Sequence, residues 1–286
     1  MDFKSEVQGF LGVTGMSQAE LARSVGTSPA TLSQIMKGNY LGDSERILDR
    51  IGKYIENYKR REEGSAGVWL ETANTRLAGF IVEKTASHRK MALVYGMAGT
   101  GKTETCRRLC ENFGNGVFIE TDAAITPRSF LYRITSVLKI QGKRALSDTL
   151  DIIGQALRLR DIVLFIDEAE YLDYRSLELA RRINDFTGTP IVLSGTFDLL
   201  RKLKKHRQLA SRIRWSVEMK PLTKAENDQY CLECGCDKEA AKIVFNRARG
   251  NFRDIENLVA DAGEISGNRG VSAGDVTAAL ETAFIF

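Results

Sequence analysis

The segment Gly96-Met97-Ala98-Gly99-Thr100-Gly101-Lys102-Thr103 has the spacing G-x-x-x-x-G-K-[ST], a pattern whose chemistry is to hold a polyphosphate. Its glycines let the backbone point N–H groups inward around the phosphates, and a helix starting beyond them adds positive potential. Lys102 would reach the β- and γ-phosphates, and the Thr103 hydroxyl would hold Mg²⁺. Further along, the apolar run 162–166 ends in the carboxylates Asp167 and Glu168. An aspartate at such a strand end completes the Mg²⁺ shell, and the glutamate beside it can orient and polarise an attacking water. The two motifs together predict a nucleoside triphosphate and Mg²⁺ as cofactors and hydrolysis of that nucleotide as the reaction.

Both motifs need a parallel sheet beneath them, because ligands of open α/β sheets bind outside the carboxyl ends of the strands. The sequence offers one. Apolar runs at 91–95, 117–120, 162–166, 191–194 and, more weakly, 214–218 alternate with helical patterns, including 104–112 directly after the glycine loop. From Pro221 the strand signals stop, and four helical stretches follow at 223–233, 237–248, 252–266 and 272–284. The expected fold is an α/β core with a five-stranded parallel sheet over 68–220 and a C-terminal helical lid over 221–286. An all-α unit over 1–58 precedes it, and the segment 59–67, charged and then small, reads as a linker.

The 286 residues are 43% hydrophobic and 27% charged, ordinary for a globular protein with more than one core. No apolar run is long enough to span a bilayer and residues 1–10 lack a signal-peptide core, so a cytoplasmic protein without a membrane partner is expected. Five cysteines, an odd number, do not read as a disulfide framework. The net charge of +4 permits nucleic-acid binding without arguing for it, which leaves that question to local clusters.

One such cluster opens the chain. Ser17 with Glu20 three residues later forms a capping box, Gly26 breaks the helix that follows, and Ser28-Pro29 starts another that stops near Gly38. Two short helices around a glycine turn form a helix-turn-helix, whose second helix enters the DNA major groove. On that helix Leu32, Ile35 and Met36 would pack inward, while Ser28, Thr31, Ser33, Gln34 and Lys37 would face DNA. The unit resembles the Cro/repressor type of helix-turn-helix, in which Gln18 and Gln34 fall at positions used for DNA contacts. A helical protein-docking module is the alternative.

The glycine loop, the carboxylate pair and the helical lid together resemble the AAA+ ATPases. The resemblance implies ATP as the nucleotide and three further roles. Thr196, at the end of the run 191–195, would be the sensor of the γ-phosphate or water. Arg212, in Leu209-Ala210-Ser211-Arg212, would be the arginine finger that completes a neighbouring subunit's site, with Arg214 as the competing candidate. Arg253, in Gly250-Asn251-Phe252-Arg253, would face the nucleotide from the lid. Within that class the chain is similar to the transposition B proteins of Mu-like phages. That likeness runs through Gly42-Asp43-Ser44-Glu45-Arg46, Trp69-Leu70-Glu71-Thr72 and Asp167-Glu168-Ala169-Glu170-Tyr171-Leu172, although Thr196 stands where those proteins carry Asn. It implies an ATP-dependent homo-oligomer, a helical filament or ring on double-stranded DNA, that delivers target DNA to a DDE-type transposase. It also directs attention to Arg128, Arg133, Lys139, Lys143 and Arg144, since related filament-forming ATPases contact DNA phosphates from that part of the core.

Two other groups call for plainer readings. The run Arg201-Lys202-Leu203-Lys204-Lys205-His206-Arg207 fits a solvated helix face or a contact with a neighbouring subunit. Cys231, Cys234 and Cys236 have a metal-like spacing but no fourth ligand close in sequence, and read as packed small hydrophobes, as do Cys106 and Cys110. The competing functions are an ATP-gated transcription regulator and an ATPase of replication or secretion-system assembly.

Overall fold

The structure is a computed structural model that describes residues 3–40, 42, 44–65, 68–267 and 269–283. Contacts separate residues 1–67 from residues 68–286 as two units.

The first unit is helical: α1 (Phe3–Thr14), α2 (Gln18–Ser24), α3 (Pro29–Met36) and α4 (Ser44–Ser65). Both halves of the capping box form, with Glu20 donating its backbone N–H to Ser17 Oγ at 3.2 Å and accepting from Ser17 N–H at 2.8 Å. Gly26, at φ 68°, takes the left-handed turn between α2 and α3, where an L side chain would be strained. Leu21, Ala22, Val25 and Leu32 pack with Val7, Phe10, Ile51 and Ile55 into one core. Met36 packs at its edge, whereas Ile35 is half-buried and outside that cluster, unlike the expectation for it. α4 also corrects the reading of 59–67 as a linker. The helix continues to Ser65, because Lys, Arg and Glu are good helix formers however charged the stretch. Asp43, part of the segment similar to the Mu-type proteins, lies outside the described residues.

The second unit begins with α5 (Ala73–His88), capped by Thr72, and then alternates strands and helices. They run β1 (Met91–Gly96), α6 (Lys102–Asn112), β2 (Gly116–Glu120), α7 (Pro127–Val137), α8 (Leu146–Arg158), β3 (Val163–Asp167), α9 (Tyr174–Thr187), β4 (Ile191–Gly195), α10 (Phe197–Lys205), α11 (Arg207–Ala210) and β5 (Ile213–Met219). The five strands form one parallel sheet in the order β2-β3-β4-β1-β5. Strand side chains alternate between faces, so one apolar run feeds two cores. Met91, Leu93, Leu164, Ile166, Ile191 and Leu193 face α7 to α10, while Ala92, Val94, Val163, Phe165 and Val192 face α5 and α6.

α12 (Lys224–Glu233), α13 (Lys238–Ala248), α14 (Phe252–Ser266) and α15 (Ala273–Leu280) form the lid around a separate core of Val244, Ile255, Leu258 and Val276. Cys231 and Cys236 are buried in it. The last lid helix ends at Leu280, short of the expected 284, which lies outside the described residues. Among the described residues no helix is long and apolar enough to cross a membrane.

Candidate nucleotide-binding site

The phosphate loop leaves the buried end of β1 and enters α6 at Lys102, with Gly99 and Gly101 both at φ 79°. Gly96 cannot carry a side chain either, because a Cβ there would lie 2.3 Å from the Met219 carbonyl of the paired β5. Lys102 is 9% exposed and donates to the Met97 carbonyl at 2.7 Å, folding over the loop that it would share with phosphate. Burial pushes its ammonium below the ordinary lysine range, and the carboxylates of Glu170 and Asp167 oppose that shift. Met97 and Ala98 are exposed on the rim, Thr100 is buried with its hydroxyl on the Met97 carbonyl, and Thr103 is half-buried in the first turn of α6.

Opposite the loop, Asp167 ends β3 at 1% exposure, and its Oδ2 is buried with no hydrogen-bond partner. A buried carboxylate oxygen without a partner is costly unless something arrives to use it. A hydroxyl at Thr103 and a bare carboxylate at Asp167 are the hard oxygen donors that a divalent cation takes alongside phosphate oxygens.

Glu168 follows in the left-handed region at φ 51°, ψ 33°, where a residue with a Cβ is strained. The strain is held in place by Thr121 at the end of β2, whose hydroxyl lies 3.0 Å from the Asp167 carbonyl and 2.7 Å from that of Glu168. Burial raises the Glu168 carboxyl above its ordinary range, reinforced by Asp167, Glu170 and Glu120. A raised carboxylate with a fixed backbone is suited to hold or accept a proton of water. On the next strand, Thr196 caps α10 by accepting from Asp198 N–H at 3.3 Å, leaving its own hydroxyl proton to donate.

The lid meets the loop directly. Arg253 N–H donates to the Gly99 carbonyl at 3.1 Å, and Asn251 Nδ2 lies 3.4 Å from the Ala98 carbonyl. The Arg253 guanidinium is exposed, and its charge is felt at Lys102, Glu168 and Glu256. Asn251, Thr121 and Glu170 carry no role in the sequence reading. The first two are signalled only by a Gly-Asn pair before a helix and by a threonine just past a strand. A slot beside Gly101 and Glu104, walled by Leu70, Met219, Leu222 and Phe252, offers an apolar surface for a base to stack against.

Several expected residues lie elsewhere. Arg212 sits just before β5, exposed, with Nε 2.7 Å from Asp185 Oδ1, and Arg181 also pairs with Asp185. Arg214 lies over the Trp215 ring at 5.2 Å. Arg133 is tied to the Glu120 carbonyl and to Asp122, and Arg128 to the Arg144 carbonyl at 2.9 Å, so neither guanidinium is wholly free. Arg128, Lys139, Lys143 and Tyr132 line a cavity of about 820 Å³ between α7 and α8. It has the greater volume, but the oxygen donors and the glycine loop that fit a nucleotide are in the crevice above β1 and β3. In the basic run after β4, Lys202 turns inward to the carbonyls of Glu170 and Leu172, unlike a solvated face. On the helix-turn-helix, Gln34 and Lys37 are exposed and Gln18 is half-buried, while the Ser28 hydroxyl caps α3 and pairs with Thr31 Oγ1 at 2.8 Å.

Residues 84–203 match the model of the AAA domain family. The Mu-like prophage FluMu DNA transposition protein B of Haemophilus influenzae is 26% identical over 257 residues, covering 85% of this chain and 90% of that protein. The ATP-dependent target DNA activator B of Escherichia phage Mu is 27% identical over 183 residues, 62% of this chain and 57% of the phage protein. Among solved structures, the Cdc6p protein of Pyrobaculum aerophilum aligns with a TM-score of 0.60 at 16% identity, covering 77% of this chain and 70% of that one. The Orc1 protein of Aeropyrum pernix, solved in complex with DNA, aligns at 0.58 and 19% identity over 76% and 66%. At such identities the structural likeness speaks for the fold. Glycine loop, carboxylate pair, strand order and lid agree with the match over residues 84–203: the chain is an ATPase that carries an AAA domain and resembles the transposition B proteins of Mu-like phages.

Proposed function

We propose that this ATPase binds MgATP, assembles head to tail on double-stranded DNA, and delivers that DNA to a DDE-type transposase. The observation that carries the assembly is the position of Arg212. It stands at the N-terminal end of β5, whereas the phosphate loop leaves the C-terminal end of the adjacent parallel β1. The seven residues of β5 separate the two ends by roughly 20 Å. Arg212 therefore serves a neighbour's nucleotide rather than its own, and head-to-tail contacts of this kind close into rings or run on as helical filaments.

In this reading Lys102 and the loop N–H groups hold the phosphates, and Thr103 and Asp167 would hold Mg²⁺, whose contribution when bound would be to neutralise charge on the phosphate oxygens. Glu168 orients the water, Thr196 senses it, and Arg212 of the next subunit with Arg253 of the lid stabilises the developing charge. Hydrolysis loosens the subunit contacts and ends the stay on DNA. The cations Arg128, Lys139, Lys143 and Arg144 supply sequence-tolerant phosphate contacts, and Gln18, Ser28, Thr31, Gln34 and Lys37 a DNA-facing helix. The transposition role rests on the similarity to the Haemophilus influenzae protein, whose name records DNA transposition, and to the phage Mu protein, whose name records ATP-dependent activation of target DNA.

Electron microscopy of the purified protein with duplex DNA tests the reading. Extended coverage with ATP that is lost with ADP is expected. A short palindromic footprint independent of assembly would instead make the chain a transcription regulator.

A further inference from the structure

Arg212 does not hang free in front of β5. Its Nε donates to Asp185 Oδ1 at 2.7 Å and its Nη2 lies 3.4 Å from Oδ2, so the carboxylate meets the guanidinium side-on through two N–H groups. On the other flank Nη1 lies 3.4 Å from the Ser211 hydroxyl, which gives its own proton to the Gln208 carbonyl at 2.8 Å. Nη1 and Nη2 carry two N–H groups each, so the edge away from Asp185 keeps donors to spare.

Asp185 is itself held. Its Oδ2 also accepts from Arg181 Nη1, and Arg181 Nε donates to Glu178 Oε1 at 2.8 Å. Glu178, Arg181 and Asp185 lie three and then four residues apart on α9, so they form one stripe of that helix, and the stripe ends on Arg212. The segment that carries Arg212 is pinned to the same helix. α11 packs on α9, Leu209 is buried in the core, and His206 stacks on Tyr174, at the start of α9, with ring centroids 4.2 Å apart.

Two features speak against a pair that serves only the fold. The side chains of Asp185 and Arg212 are 26% and 42% exposed, and ion pairs in contact with water add little stability. Arg181 has a carboxylate of its own in Glu178, so it does not require Asp185. The second feature is selectivity. Arg214, two residues further along, lies over the Trp215 ring and pairs with no carboxylate among the described residues. Of the two arginines at the start of β5, Arg212 is the one built into a frame.

We propose that Asp185 is a positioning residue for the arginine finger. It holds the Arg212 guanidinium by its inner edge before subunits meet, so that the outer Nη1 and Nη2 donors reach a neighbour's phosphate already oriented. This rests on the reading of Arg212 as a finger given above and adds the group that aims it. A free arginine side chain has many rotamers, and fixing them in the unassembled chain removes an ordering step from catalysis.

The test mixes two incomplete full-length chains with ATP, Mg²⁺ and duplex DNA. Lys102→Ala keeps Arg212 but should not hold the phosphates, and Arg212→Ala keeps the nucleotide site but has no finger. Asp185→Asn, which removes the charge at nearly constant shape, is then placed on one chain or on the other. Phosphate release is measured for each mixture and thermal melting for each protein. On the Lys102→Ala chain, which donates the finger, Asp185→Asn should lower turnover of the mixture roughly 10–100-fold, the scale on which a misplaced group costs rate. On the Arg212→Ala chain it should bring no further loss, because that chain has no guanidinium to aim. Both Asp185→Asn proteins should melt close to their parents. No loss from the donor chain would overturn the proposal. So would equal losses from either chain, with or without a shared drop in melting temperature, because a merely structural residue weakens both. A starting pair with no turnover beyond the sum of its parts would overturn the reading of Arg212 itself, which separates the two failures.

Discussion

Replacing Glu168 should make the protein more stable and less active together. Its backbone sits at φ 51°, ψ 33°, held by the Thr121 hydroxyl under the two carbonyls of the Asp167-Glu168 pair. A residue with a Cβ in that region costs about 1–2 kcal/mol. Glycine removes the clash but gives back about 0.5–1 kcal/mol in chain entropy, so Glu168→Gly should gain about 1 kcal/mol. For a unit of this size that corresponds to a rise in Tm of about 2–4 °C. Glu168→Gln keeps the backbone strain and removes only the charge. Because the folded carboxyl is raised above its ordinary 4.5, by burial first and then by Asp167, Glu170 and Glu120, ionised Glu168 destabilises the fold at neutral pH. That cost fades as pH falls through the folded pKa and is gone below the ordinary value. The Gln variant should therefore melt above the wild type at pH 7 and level with it near pH 4. Both variants should lose about 10²–10⁴-fold in turnover. Melting curves of nucleotide-free protein across pH, with phosphate release measured in parallel, provide the readout. A Glu168→Gly protein that melts below the wild type would refute the strain argument, since it would mean the left-handed turn is favoured by contacts of the side chain.

The remaining expectations are more local. Gly99→Ala puts a Cβ at φ 79° and 2.1 Å from Asn251 Oδ1, so it should push the lid off the loop and weaken ATP-analogue binding about 10-fold; unchanged affinity would separate the lid contact from binding. Ser17→Ala removes the side-chain half of the α2 capping box and should destabilise the first unit by about 0.5–2 kcal/mol, seen as an earlier melting transition of an isolated residues 1–67 fragment or of the whole chain.

Much of this was legible because strong local rules coincide with tertiary need. The loop at 96–103 reads from glycines and a lysine alone, and β1, β3 and β4 read from apolar runs because strands covered on both faces have few polar positions to interrupt them, whereas the edge strand β5 alternates and reads more weakly. Helix starts in the first unit read well for the same reason: Ser17 and Ser28 each cap a helix through the side-chain oxygen that suggested the boundary. What was hidden depends on contacts between distant segments. Nothing local to Thr121 or Glu170 signals that each would bridge two strands, and Lys202 looks like any member of a basic run until the turn after β3 is folded beneath it. The stretch 59–65 was misread because charge suggests solvent, and a solvated helix and a linker share that composition.

The central claim is that the ATPase site is shared between subunits, and mixing two crippled chains tests it most directly. Lys102→Ala should be unable to hold the phosphates but still offers Arg212. Arg212→Ala should bind nucleotide but lacks the finger, whose loss typically costs 10³–10⁵-fold in turnover. Random head-to-tail assembly of equal amounts joins an intact nucleotide site to an intact Arg212 at about a quarter of the interfaces. The account predicts that two nearly inactive proteins recover turnover to about that fraction of wild type when mixed with DNA. A mixture no more active than the sum of its parts would contradict it.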